Sequence, residues 1–233
     1  MNLSREVFFG YESKLRKAGF SSDFDDMLTR LQRKEHLSPD EFAKRTIYVV
    51  LAGGFKQQTA KEYHKRIMNF LYLTVSIDDK NMLVSGLLKI FRNRNKINAI
   101  ADIWQNRKKY CMRYYDLFSK PLQMKLDYLE ELPFIGPITK NHLARNLGED
   151  VPKYDIWIQR LGVLYSGRSD LEEKINNSKL DNEVKVVCDE MFKFVKHETG
   201  LPVGYIDLVL WRACEQHMMI MFHQEGRCRN NFS

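Results

Sequence analysis

Apolar residues along this chain recur at intervals of three and four, not two, and the pattern predicts helix nearly throughout. Ser38-Pro39-Asp40-Glu41 reads as a helix start, with Ser at the cap, Pro in the first turn and Glu three after the cap. The run from Phe42 to Leu51 is apolar, as a buried helix requires, and Gly53-Gly54 breaks it. Helical spacing resumes from Thr59 to Leu71, with Tyr63, Ile67, Phe70 and Leu71 on one face. Met82 to Phe91 is predicted as a helix, Lys96 to Leu117 as one or two more, and Pro121 opens a short one ending near Leu132. A turn at Pro133 to Gly136 leads to a helix over Pro137 to Leu147, framed by proline at its start and Gly148 at its end. Asp155 to Tyr165 follows, and Ser169-Asp170-Leu171-Glu172 repeats the capping pattern. Asp181 to His197 and Tyr205 to Phe222 complete the predicted helices, and the polar stretch from Gln224 to Ser233 is expected to fray. With no strand pair and no repeat at solenoid period, the expected fold class is all-α with short connections.

Composition narrows this reading only slightly. The chain has 233 residues, enough for one large domain or two lobes sharing a core. Lys and Arg number 37 against 30 Asp and Glu, a net charge of +7, which fits a polyanionic partner without requiring one. The four cysteines, Cys111, Cys188, Cys214 and Cys228, form no CxxC pair and lack the spacing of a zinc ribbon or a four-cysteine iron–sulfur cluster. They read as free thiols of a reducing compartment. No apolar run approaches transmembrane length, and the charged Met1 to Gly10 is not a signal peptide, so a cytoplasmic or nucleoid-associated location is expected, nuclear in a eukaryote.

The segment richest in chemistry is Leu132-Pro133-Phe134-Ile135-Gly136-Pro137. An apolar-Pro-x-apolar-Gly turn between two helices gathers backbone N–H groups at a helix N-terminus, and such a place binds phosphate. Leu132 and Ile135 are spaced to pack inward, and the N–H groups of Gly136, Ile138 and Thr139 are expected to face a ligand. On the turn alone, a plain helix–helix corner explains the same residues equally well.

The larger pattern separates the two. Leu129-Glu130-Glu131-Leu132-Pro133-Phe134-Ile135-Gly136-Pro137-Ile138-Thr139-Lys140-Asn141, followed by Val151-Pro152-Lys153-Tyr154-Asp155-Ile156-Trp157-Ile158-Gln159-Arg160, resembles the helix-hairpin-helix DNA glycosylase superfamily, as a member without an iron–sulfur cluster. That family carries a Leu-Pro-Gly-apolar-Gly hairpin, an aspartate about twenty residues on, and then an apolar helix with an arginine. Val50 to Lys61 is similar to its early helix and gap-filling loop, and Gly204 to Trp211 to its closing helix. The resemblance implies a two-lobe helical fold with an interlobe cleft, residues 30–148 forming a central bundle and 1–29 with 149–233 a second lobe. It implies base excision repair: a damaged or modified base is flipped from double-stranded DNA, and its N-glycosidic bond is hydrolysed. Asp155 would be catalytic, its carboxylate stabilising positive charge on the sugar. Phe134, Gly136, Ile138 and Thr139 would hold the DNA backbone. Lys56, Gln57 and Gln58 would fill the gap left in the duplex, and Phe55, Trp157 and Trp211 would line the base pocket. No organic cofactor and no metal ligand set is implied, apart from a monovalent cation at the hairpin carbonyls, and a monomer is expected.

The chain departs from the family at two places. Phe134 stands where the hairpin has its first glycine. Ile138 stands where strand-cutting members carry a lysine that attacks the sugar, and Lys140, two residues on, is rotated by roughly 200° about a helix, nearly to the opposite face. Base removal alone is therefore expected. The alternatives are a bifunctional glycosylase/lyase using Lys140 as Schiff-base nucleophile, for example on an oxidised purine, and a non-catalytic DNA-binding module. Further expectations are that Lys61, His64, Lys65, Arg66, Arg92, Arg94 and Lys96 face phosphate, that His142 is no metal ligand, and that Asp207 caps the last helix.

Overall fold

The computed structural model describes residues 3–33, 35–55, 57–74 and 79–219. Among these, all regular structure is helical. The α-helices are α1 (Arg5–Lys17), α2 (Phe24–Arg33), α3 (Pro39–Ala52), α4 (Gln57–Leu73), α5 (Lys80–Leu88), α6 (Arg94–Gln105), α7 (Arg107–Asp116), α8 (Leu122–Glu130), α9 (Thr139–Asn146), α10 (Ile156–Ser166), α11 (Asn182–Thr199) and α12 (Val203–Glu215). A 3-10 turn, Ser169–Lys174, lies between α10 and α11. None of these helices is long and apolar enough to cross a membrane.

The chain divides into two compact units, one from Thr29 to Lys153 and the other comprising Met1–Leu28 with Tyr154–Ser233. The first is built around α3, whose Phe42, Ala43, Ile47, Val50 and Leu51 are buried. Ser38 starts that helix as the sequence predicts, its hydroxyl accepting from Glu41 N–H. Gly86 lets α5 approach α4, since a Cβ there would stand 2.3 Å from the Phe70 ring. A buried ion pair, Lys125 Nζ to Glu149 Oε1 at 2.7 Å, ties α8 to the segment after α9, and the Tyr114 hydroxyl donates to the same carboxylate. Burial, together with the Glu149 charge, pushes the Tyr114 phenol well up. In the other unit α10 and α11 pack most closely. A Cβ on Gly162 would meet Cys188 Sγ at 2.6 Å and Cys188 Cα at 3.0 Å, so the glycine sets that approach.

Several boundaries differ from expectation. α1 and α2 have no counterpart among the predicted helices. Each is mostly polar, and α1 buries only Phe8 and Leu15, too sparse a stripe to read. The span predicted from Lys96 to Leu117 is two helices, α6 and α7, parted at Asn106, whose amide folds back onto the Asp102 carbonyl. The Ser169 capping pattern opens a 3-10 turn with no side-chain cap bond. The last helix stops at Glu215, just before His217 at φ 54°, and not at Phe222. Asp207 lies fully buried within α12 and does not cap it; the N-cap is Pro202.

Candidate active site

The hairpin belongs to the Thr29–Lys153 unit. Leu132 and Ile135 are buried and pin α8 to α9, and the Ile135 N–H closes the turn onto the Leu132 carbonyl at 3.1 Å. Phe134 adopts φ 66°, the left-handed conformation a glycine takes without strain, and its ring is 50% exposed. Gly136 is not in that region, so the residue this backbone would favour as glycine is the one that is phenylalanine.

The three N–H groups expected to face phosphate are not equivalent. Gly136 N–H donates to Thr139 Oγ1 at 2.7 Å, and the same hydroxyl donates to the Gly136 carbonyl at 3.3 Å. The turn thus caps itself, and a phosphate must displace the hydroxyl to reach that N–H. The Ile138 side chain is buried, which leaves its role to the backbone. The Gly136 carbonyl also accepts from Lys140 N–H at 2.9 Å. With both its lone pairs engaged it does not fit as a ligand of the monovalent cation that the resemblance implies. Among the described residues, no group of three or more His, Cys, Asp or Glu could hold a metal ion.

Lys140 lies on α9 with Nζ 2.5 Å from Glu130 Oε2 and 4.0 Å from Asp127 Oδ1, both on α8. A lysine held between two carboxylates stays protonated, the wrong state for a nucleophile.

After α3, Gly54 at φ 82° turns the chain and Phe55 is 41% exposed. Gln57 and Gln58 are the first residues of α4 and not loop; Gln58 is exposed and Gln57 half-buried. Lys56 lies outside the described residues. Lys96 overturns the expectation of a phosphate-facing side chain. It is 5% exposed, and Nζ donates to the Leu51 carbonyl at 3.3 Å and to the Gly53 carbonyl, capping the end of α3. The same ammonium lies 4.9 Å from the Phe55 ring centroid and 5.7 Å from that of Phe134, so one cation joins this loop to the hairpin. Burial pulls the Lys96 pKa down. Arg92, Arg94, Lys61, Lys65 and Arg66 are exposed. His64 is half-buried with Nε2 2.9 Å from the Lys44 carbonyl. His142 is buried, and burial holds its pKa well below the usual value, reinforced by the Lys153 and Arg145 charges.

Asp155 belongs to the other unit and is the N-cap of α10. Its Oδ1 accepts from Trp157 N–H at 3.1 Å and Ile158 N–H at 3.3 Å, which fixes the carboxylate at the positive end of an 11-residue helix. Tyr154, just before it, takes φ 53° and is buried, its hydroxyl donating to Asp189 Oδ1. Gln159, fully buried, holds this junction. Its Nε2 donates to the Tyr154 carbonyl at 2.9 Å and the Asn176 carbonyl at 2.8 Å, and its Oε1 accepts from Asn176 N–H at 3.0 Å. Sequence reasoning missed Gln159; the available signal was a polar residue at i+4 from Asp155, on the face where an apolar helix should be buried. Cys214 shares the neighbourhood. Burial pushes its thiol up to about 12, helped by the Asp155 charge. Trp157 and Trp211 are half-buried in the same unit, with His217 edge-on to Trp157 at 6.3 Å and the Arg160 guanidinium 5.6 Å from that indole.

Together these residues offer a self-capped turn flanked by an exposed ring, and a helix-capping carboxylate beside two half-exposed indoles. No family model matches the sequence, and no curated protein matches it. Two solved structures share the fold. One is an 8-oxoguanine glycosylase/lyase from Methanocaldococcus jannaschii in complex with a 15-mer DNA containing 8-oxoguanine, 17% identical, with a TM-score of 0.63 over 89% of this chain and 96% of that one. The other is an 8-oxoguanine DNA glycosylase of the same organism, 17% identical, with a TM-score of 0.63 over 91% of this chain and 94% of that one. The chain therefore has the all-helical fold of these glycosylases.

Proposed function

We propose that this chain is a helix-hairpin-helix DNA N-glycosylase that removes a damaged or modified base from duplex DNA by hydrolysis, leaving an abasic site. The observation that carries the reading is Asp155: a carboxylate fixed as the cap of α10, 19 residues after the hairpin's Gly136, in a chain with a glycosylase fold. The extruded nucleotide would bring its anomeric carbon beside this carboxylate. As the bond to the base lengthens, positive charge grows on the sugar, and the ionised carboxylate stabilises it and orients the attacking water. Trp157 and Trp211 would contact the flipped base, and Phe134, Ile138 and Thr139 the DNA backbone, with the Thr139 hydroxyl turning aside from Gly136. Such an enzyme works wherever the genome is held, in a nucleoid or a nucleus.

Hydrolysis without strand cutting is supported by two features. Ile138 supplies no amine at the family's nucleophile position, and Lys140 is engaged by Glu130 and Asp127. The test uses a set of duplexes, each with one lesion: uracil, thymine mispairs, alkylated purines, modified pyrimidines and 8-oxoguanine. Wild type should release one of these bases, and Asp155→Asn should lower the rate at least a thousandfold while binding the duplex within a fewfold of wild type. Borohydride added during turnover should trap no protein–DNA adduct. Equal rates for wild type and Asp155→Asn would refute the glycosylase assignment, and an adduct lost in Lys140→Met would restore the lyase alternative.

A further inference from the structure

A shallow concavity of about 420 Å³ opens in the Thr29–Lys153 unit, on the side of Phe55 and the α5–α6 connection. Its floor is aromatic: Phe55 sits edge-on to Phe91 at 5.6 Å and to Tyr63 at 6.3 Å, and Tyr63 and Phe91 are 4.9 Å apart. Its rim is basic. Lys89 and Arg92 line it and are exposed, and neither makes an ion pair among the described residues. None of the residues lining it is acidic.

The Phe55 ring is 41% exposed yet firmly held. Phe91 is buried and anchors it from below, and the buried Lys96 ammonium covers it at 4.9 Å. A large ring kept rigid and half in water, beside two cations with no counter-charge, matches what an unstacked nucleotide needs: a π-face for the base and positive charge for the phosphate. A lipid or peptide partner would leave one of these features unused. The shape, open and shallow, admits any base and reads no hydrogen-bond pattern, so the expected ligand class is single-stranded DNA without sequence preference.

We infer that this concavity binds one unpaired deoxynucleotide of single-stranded DNA, its base stacking on Phe55 and its phosphate lying between Lys89 and Arg92. Lys96 acts as a positioning residue, because it fastens Phe55 to the end of α3 and, through Phe134, to the hairpin. The inference rests on DNA being the partner of this chain, but not on base release, since Asp155 takes no part in it.

The experiment measures the affinity of the full chain for a fluorescein-labelled single-stranded 8-mer of mixed sequence, by anisotropy over a range of salt concentrations. Phe55→Ala should weaken binding roughly tenfold, and Phe55→Trp should match or exceed wild type, as stacking requires. The double variant Lys89→Ala/Arg92→Ala should flatten the slope of log affinity against log salt by about 1.4, two phosphate contacts at roughly 0.7 each on a single strand. A strand carrying 5-iododeoxyuridine should photocrosslink to Phe55 or Tyr63. Affinity within twofold of wild type in Phe55→Ala, a Trp variant no better than the Ala variant, or crosslinks confined to other residues would each overturn the inference. Phe55 is surface-exposed, so the variants should keep the wild-type melting curve. The two readings fail separately: loss of the Phe55 effect leaves Asp155-dependent base release untouched, and absence of base release on every lesion leaves the Phe55 effect intact.

Discussion

At the scale of single residues, the hairpin shows a conflict between backbone and side chain. Phe134 holds φ 66°, where a Cβ crowds the carbonyl and a non-glycine residue costs about 1–2 kcal/mol. The ring gives something back through its contact with the Lys96 ammonium at 5.7 Å. The two contributions can be parted by comparing variants that both lack the ring. Phe134→Gly relieves the strain and Phe134→Ala keeps it, so the glycine variant should be more stable than the alanine variant by about 1 kcal/mol in urea denaturation. Equal stability, or a more stable alanine variant, would mean that the backbone relaxes out of the left-handed region once the ring is gone. Gln159 offers a second test at this scale. Its amide satisfies three backbone groups around the Tyr154–Asp155 junction, so Gln159→Leu leaves them unpaired in the interior. Unfolding free energy should drop by about 2–4 kcal/mol, and where the variant remains folded the base-release rate should fall more than duplex affinity does. A rate that tracks affinity alone would make Gln159 a merely structural residue.

Among elements, the contact that matters most for Asp155 is α10 against α11, because α10 carries the carboxylate at its first turn. Gly162 permits that contact. The atoms nearest an added Cβ are Cys188 Sγ at 2.6 Å, Cys188 Cα at 3.0 Å and Cys188 N at 3.1 Å, and the latter two belong to backbone that cannot swing aside. Gly162→Ala should therefore part the helices and destabilise the fold by roughly 1–3 kcal/mol, despite alanine's better helix propensity. Gly86→Ala meets instead the outer atoms of the Phe70 side chain, which can rotate, so it should cost less. Thermal melts of the two variants side by side check the order. These elements were legible to different degrees. The helices with a wide apolar face or a strong cap, α3 with Ser38 and α11 with Asp181, stand out in the sequence because cap and core agree. α1 and α2 do not, because few of their residues are buried. The break at Asn106 does not either, because only a side chain returning to the Asp102 carbonyl marks it.

For the whole molecule, what the sequence made legible was the role of short motifs, and what it hid was pairing at a distance. The hairpin and the capping aspartate are local, so spacing alone placed them. The self-cap of Gly136 by Thr139 is equally local but depends on a hydroxyl rotamer, and Lys96 reads as one more basic residue until its carbonyl partners 43 and 45 positions away are known. The same distance effects shape the acid response. His142 is enclosed with the Lys153 and Arg145 charges nearby, and His64 is held low chiefly by burial, with the Lys44 charge adding to it while the Lys44 carbonyl and Glu41 oppose it. Both histidines sit in the Thr29–Lys153 unit, with Tyr48 edge-on to each at 5.5 and 6.1 Å. The folded chain resists protonating them, whereas the unfolded chain binds protons with the ordinary value near 6.5. Above that pH both states are neutral at these positions and stability is flat. Below it the unfolded state binds more protons, so stability falls with pH, by at most about 1.4 kcal/mol per pH unit for each histidine. Carboxylates held low, such as Glu41, enter only beneath their own unfolded value of 4.5, so the window from 4.5 to 6.5 reports the histidines. Urea midpoints measured at pH 7.5, 6.5, 5.5 and 5.0 should decline steadily across the lower three, and His142→Asn should remove about half of that decline. An unchanged slope in His142→Asn would mean that the buried imidazole takes up its proton without disturbing the fold.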